Sequence, residues 1–205
     1  MITKNITSPH LNRYFIINKP YNMVSQFVSS HDVCLLGDLK FEFPEGTHAI
    51  GRLDNHSEGL LILTTDKRVT RLLFNSKTTH KRSYLVMVQN KVSETALHKL
   101  REGVHIKVKE GIEHFAKPYA IERIENPKEL YSFATDYRDG YPHSWLLITL
   151  TEGKFHQVRK MVLAIGHRCQ RLIRLSIDDI RLGDLEPGKV KEMAETDFYN
   201  LMGQV

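Results

Sequence analysis

Residues 50–66 read Ile50-Gly51-Arg52-Leu53-Asp54-Asn55-His56-Ser57-Glu58-Gly59-Leu60-Leu61-Ile62-Leu63-Thr64-Thr65-Asp66, a short polar turn running into a compact apolar stretch. The apolar stretch has the length and Leu/Ile content of a buried strand. The turn before it carries Arg52 and Asp54 between Gly51 and Gly59. A charged pair on a loop fixed by rigid structure is a usual setting for chemistry. For Asp54 two readings stand side by side: a turn residue whose carboxylate accepts backbone N–H groups, or a nucleophile or general base. An arginine close to Asp54 keeps that carboxylate ionised at neutral pH, which a nucleophile needs and a general acid does not.

Working toward the N-terminus, residues 1–12 read as a flexible end, and Tyr14-Phe15-Ile16-Ile17 is a short strand closed by Asn18-Lys19-Pro20. Asn22, in the extended segment that follows, can take the left-handed conformation of a tight turn. Toward the C-terminus, Asp66 caps a helix with Val69, Leu72 and Leu73 on one face, ending by Asn75. A basic loop from Ser76 to Arg82 leads to a strand over Tyr84–Val88. Ser93 caps a second helix that stops at Gly103. His105–Val108 and Tyr119–Glu122 alternate as strands do, Asp139-Gly140 reads as a hairpin connection, and Trp145–Leu150 as a buried strand. Val158, Met161, Val162 and Ile165 mark one face of a third helix ended by Gly166. Leu172–Ile177 and Ile180–Leu182 complete the strands, and residues 191–205 read as a polar tail. Strands outnumber helices and hairpin-like turns recur, so the expected architecture is α+β. It is a single domain over residues 13–190, built on a largely antiparallel mixed sheet flanked by a few helices.

The 205 residues are 41% hydrophobic and 26% charged, the balance of an ordinary globule with a real core. A net charge of +5 points only mildly to a polyanionic partner, but its distribution is uneven. Between Lys154 and Arg174 stand Lys154, Arg159, Lys160, Arg168, Arg171 and Arg174 and no acid, whereas residues 175–205 hold seven acids against three bases. The basic segment is either a solvated face or a surface that neutralises several phosphates. Cys34 and Cys169 are isolated, which suits a reducing cytoplasm and argues against a disulfide framework. No run approaches the ~18 apolar residues of a membrane span. The eleven histidines are scattered without zinc-helix spacing, so no metal is expected. Phosphate loops and serine-hydrolase elbows are also missing. Tyr84 reads either as core or as a face that stacks on a base. His156 and Gln157 read either as polar residues opening a helix or as phosphate contacts.

Together, four segments carry a resemblance. Gly51-Arg52-Leu53-Asp54 with Ser57-Glu58-Gly59-Leu60-Leu61 is similar to the catalytic motif of RNA pseudouridine synthases of the RsuA/RluE/RluF type. Asn18-Lys19-Pro20 with Ser25 resembles that family's first motif, Tyr84-Leu85-Val86 its Lys-x-Tyr-x-Val strand, and Glu152-Gly153-Lys154-Phe155-His156-Gln157-Val158-Arg159-Lys160-Met161 its third. The order is the family's, and the resemblance runs from about Tyr14 to Pro187. Asn22 stands where the family usually has Gly, and Arg82 where it usually has Lys. The separate RNA-binding domain often found upstream in this branch has no room here.

The resemblance implies that Asp54 attacks the target uridine, so that the base detaches, rotates and rejoins the sugar through carbon, with no cofactor or metal. It implies that Tyr84 stacks on the flipped base and assists the final proton removal. Arg159 would pair with Asp54, and Arg52 would enter the space left by the extruded nucleotide. Lys19, Lys154, His156, Gln157, Lys160 and Arg171 would grip the RNA. The partner implied is ribosomal RNA or an assembly intermediate, handled by a monomer without a membrane. The Ser-Glu-Gly-Leu-Leu form leans toward RluE-like, large-subunit enzymes and the Phe-His-Gln-Val form toward RsuA-like, small-subunit ones; the large subunit is favoured. Two other classes stand against this: an RNA-binding or ribosome-assembly module that has lost the reaction, and a glycosidase-like hydrolase. The hydrolase needs a second carboxylate ~5–9 Å from Asp54, for which Glu58 is nearest in sequence.

Overall fold

A computed structural model describes residues 11–75, 79–108, 111–135 and 140–203. Its strands are β1 (Tyr14–Lys19), β2 (His48–Ile50), β3 (Glu58–Thr64), β4 (Arg82–Gln89), β5 (Val104–Lys107), β6 (Glu113–Ala116), β7 (Ala120–Ile124), β8 (His143–Leu150), β9 (Cys169–Ile177), β10 (Ile180–Arg181) and β11 (Val190–Met193). The helices are α1 (Arg68–Asn75), α2 (Glu94–Glu102), α3 (Gln157–Ala164) and α4 (Glu195–Leu201). The main sheet runs β11-β1-β3-β9-β4-β8-β7, with β2 also on β3 and β10 on β9. Every pairing is antiparallel except β3 with β9. The α+β, largely antiparallel architecture is therefore the one read from the sequence.

Both faces of the sheet are covered, which is why β3 is an unbroken apolar run. All seven of its residues are buried, and alternation sends Leu60 and Ile62 to one face, Leu61 and Leu63 to the other. On the first face they meet Tyr14, Ile16, Val69 and Leu73 of β1 and α1, and Phe198 of α4. The second face holds two clusters. Phe15, Ile17, Leu61 and Leu63 pack under the loop carrying Phe41 and Phe43, while Val86 and Val88 pack under Leu97 and Leu100 of α2 and Met161 and Val162 of α3. Tyr84 touches both, so the seam between the clusters runs beside it.

The local signals behave as their chemistry requires. Asn22 is left-handed, with φ 60°. The Asp66 carboxylate accepts the Arg68 backbone N–H at 3.0 Å and opens α1. Ser93 Oγ accepts from Ala96 N at 3.2 Å and opens α2, and Gly103, with φ 104°, ends it. Ser76 to Thr78 and Asp139, on which the basic-loop and hairpin readings partly fall, lie outside the described residues.

The C-terminal segment departs from the expectation of a polar tail beyond residue 190. Val190–Met193 adds β11 to the edge of β1, Arg13 pairs with Glu192, and Phe198 lies on Tyr14 with ring centroids 4.7 Å apart. Tyr14 and Tyr199 both donate to Asp66, at 2.8 and 2.9 Å. Arg68, with its side-chain and backbone bonds, holds the Asp66 carboxyl well below the usual carboxylate range. The segment reads as polar because β11 is an edge strand and the residues that pack on the core, Phe198, Leu201 and Met202 among them, are interspersed with polar ones.

Candidate active site

The turn ahead of β3 is pinned from three directions. From the N-terminal side, Ser25 Oγ accepts Leu53 N at 3.0 Å and donates to Leu53 O at 2.9 Å, clasping the residue before Asp54. From below, the fully buried Lys19 sends its ammonium to the carbonyls of Met23 (2.6 Å), Pro20 (3.0 Å) and Asn55 (3.3 Å). Burial pushes the Lys19 ammonium down to about 8, against the opposing fields of Glu58 and Asp54. From α3, Arg159 Nη2 donates to His56 O at 2.7 Å and Ser57 Oγ at 3.3 Å. A bond from Ser57 N to Asp54 O, 2.9 Å, closes the turn on itself. Asp54 thus sits on a loop whose neighbours on both sides are fixed, with its carboxylate about a third exposed.

Gly59 makes this placement possible. Its φ is +97°, and a Cβ there would lie 2.4 Å from Arg174 O and 2.8 Å from Arg174 N. The parallel contact of β3 with β9, in register at Glu58–Ile173 and Gly59–Arg174, therefore requires a residue without a side chain.

A cleft of about 700 Å³ opens in front of the turn. Arg52 and Asp54 of the turn, Tyr84 and Arg174 of the sheet, and Lys154, Phe155 and His156 ahead of α3 all line it. Tyr84 on β4 and Arg174 on β9 are cross-strand partners. Arg174 is buried, donates from Nε to Leu60 O at 2.8 Å and leaves Nη2 without a partner. Burial lowers its pKa, and the Tyr84 hydroxyl opposes that. In the sequence Arg174 reads only as one cation of a basic segment. The available signal was its place two residues after Leu172 on a strand, a position facing the same side as a core residue.

The structure brings Asp54, Arg52, Tyr84, Lys154 and His156 to one cleft, but it uses several other cations internally. Lys19 faces carbonyls and not solvent. Gln157 is buried, accepting Lys154 N at 2.9 Å and donating to Glu152 Oε1 at 2.6 Å. Arg171 forks onto Glu58 at 2.7 and 2.8 Å, both side chains about a tenth exposed, and also reaches Phe133 O at 2.9 Å. Lys19 and Arg171 are thus spent on partners within the protein and do not line the cleft, whereas Gln157 lines it while bonded to its neighbours. The Arg171 fork likewise occupies Glu58, so Glu58 is no free second carboxylate. Lys160 is half-buried, its ammonium 5.1 Å from the Phe155 ring centroid. Among the described residues, Asp54 has its ion pair with His156, Nε2 to Oδ1 at 3.5 Å, and not with Arg159. Among the same residues no cluster of His, Cys, Asp or Glu could hold a metal, and no helix is long and apolar enough to cross a membrane.

The sheet is covered on both faces and carries, beside one cleft, the braced turn of Asp54 and the strand residue Tyr84. The RNA pseudouridylate synthase family model matches residues 13–164, and the chain belongs to that family of RNA-modifying enzymes. It is 37% identical over 183 residues to the ribosomal large subunit pseudouridine synthase E of Vibrio parahaemolyticus, covering 88% of this chain and 74% of that one. To the protein of the same name from Xanthomonas axonopodis pv. citri it is 32% identical over 184 residues, 89% of this chain and 94% of the other. A crystal structure of a pseudouridylate synthase superposes with a TM-score of 0.71 at 26% identity, covering 93% of this chain and 74% of that one.

Proposed function

We propose that this enzyme isomerises a specific uridine of large-subunit ribosomal RNA to pseudouridine, with Asp54 as the nucleophile. The observation that carries the reading is the braced Asp54 turn in a cleft that Tyr84 also lines. A base inside a helix is unreachable, so the nucleotide is flipped out at a cost of a few kcal/mol, offset by stacking and phosphate contacts. Asp54 attacks the sugar and the bond from its anomeric carbon to N1 breaks. The base turns, C5 bonds to the same carbon as Asp54 leaves, and the C5 proton departs. Tyr84 receives the base and assists that last step, and exposed Arg52 fills the vacated stack. Lys154 and Lys160 hold backbone phosphate. Arg159 serves catalysis by fixing the turn that carries Asp54.

The choice of the large subunit is supported by the names of the relatives at 37% and 32% identity. The reading further has a monomer working in the cytoplasm on ribosomal RNA or an assembly intermediate. The test is release of tritium from uridine labelled at C5, in each ribosomal RNA taken from cells lacking the protein. Release from large-subunit RNA by wild type and none by Asp54→Asn is expected. Tight binding without release would leave an RNA-binding module, and release from small-subunit RNA alone would reassign the target.

A further inference from the structure

The imidazole that meets Asp54 is held in place by features of its own. His156, just before α3, has a left-handed backbone, φ 54° and ψ 29°. For a residue other than glycine that conformation costs about 1 kcal/mol or more, so it persists where surroundings impose it. The ring is stacked on Phe155, centroids 3.9 Å and planes 17° apart, and Lys160 lies against the same Phe155 ring. The ring is thereby aimed across the lip of the cleft, bringing Nε2 to 3.5 Å from Asp54 Oδ1. Of the cations that brace the turn, Lys19 is committed to three carbonyls and Arg159 to His56 O and Ser57 Oγ, while Arg52 in the turn itself is exposed.

We propose that His156 is a positioning residue for Asp54. Its Nε2 lies against the Asp54 carboxylate, keeps it turned into the cleft, and yields it when the anomeric carbon of the flipped uridine approaches. The proposal rests on the reading of Asp54 as nucleophile. With side chains 41% and 35% exposed the pair is well screened by solvent, so its effect lies in orienting the carboxylate and not in holding the fold.

Tritium release from C5-labelled ribosomal RNA, with kcat and KM measured separately, tests this on wild type, His156→Asn, His156→Lys and Asp54→Asn. Asparagine accepts the left-handed backbone without the imidazole. His156→Asn is expected to lower kcat about tenfold with KM within about twofold and an unchanged melting temperature, and His156→Lys to recover most of that loss. An unaltered kcat, a rise in KM alone, or a loss that His156→Lys does not relieve each overturns the proposal; the second would make His156 an RNA contact. The two readings fail separately. Release by Asp54→Asn removes the nucleophile whatever His156 does, whereas an inactive Asp54→Asn beside a fully active His156→Asn removes only the positioning role.

Discussion

Arg159 donates to the carbonyl of His56 at 2.7 Å, two residues beyond Asp54, and leaves the Asp54 carboxylate to other partners. Its planar fork also reaches Ser57 Oγ and, at 3.6 Å, the Cys169 sulfur. Arg159 therefore ties α3 to the turn that carries Asp54. Lysine keeps the charge and loses the fork. Arg159→Lys is expected to lower kcat roughly 100-fold, the scale of a 1 Å misplacement, with KM little changed. Steady-state tritium release measures it, and a change confined to KM would mean that Arg159 only grips RNA.

Lys19 yields a pH prediction. Its pKa falls from 10.5 to about 8 on folding, so between those values the unfolded chain binds more protons than the native state. Stability contributed by this group therefore rises with pH across that window and is lowest below about 8. Denaturant titrations at pH 8 and pH 10 should show wild type gaining on the order of 2 kcal/mol relative to Lys19→Met, which has nothing to titrate. A parallel pH response in the two proteins contradicts it. At pH 7 the variant should also be less stable by ~1–3 kcal/mol, having left buried carbonyls without a donor.

Gly59 is required by the close approach of β3 to β9. The added methyl of Gly59→Ala meets backbone atoms of Arg174, which cannot swing aside as a flexible side chain would. The expected cost is ~2–3 kcal/mol, or ~5–10 °C in a thermal melt followed by circular dichroism. A melting temperature within ~1 °C of wild type would show that the strands separate more easily than the register implies.

Arg171 and Lys154, alike in the charge count, should respond in opposite ways. Removing Arg171 strands Glu58 in a site about a tenth exposed, so Arg171→Ala should cost ~3–5 kcal/mol of stability. Lys154 is exposed at the lip of the cleft. Lys154→Ala should leave stability within ~0.5 kcal/mol but weaken RNA binding and reduce its salt dependence by about one counterion. Chemical denaturation and binding at several salt concentrations separate the two, and a stable Arg171→Ala with weakened binding would restore it to the RNA surface.

The sequence by itself determined the elements and the address of the chemistry. Short continuous apolar runs such as Leu60–Leu63 and Leu85–Val88 specify buried strands, and Asp66, Ser93 and Gly103 mark helix ends, because these signals act within a few residues. The ordered motifs around Lys19, Asp54, Tyr84 and Arg159 located the cleft. Tertiary structure decided the roles of the cations. Whether Lys19, Arg171 or Arg174 faces RNA or a buried carbonyl depends on what packs over it from distant segments, and a charged residue's letter is the same in either setting. Only the folded chain sets His156 beside Asp54 and Arg159 beside His56, since each pair joins α3 to a turn about a hundred residues away.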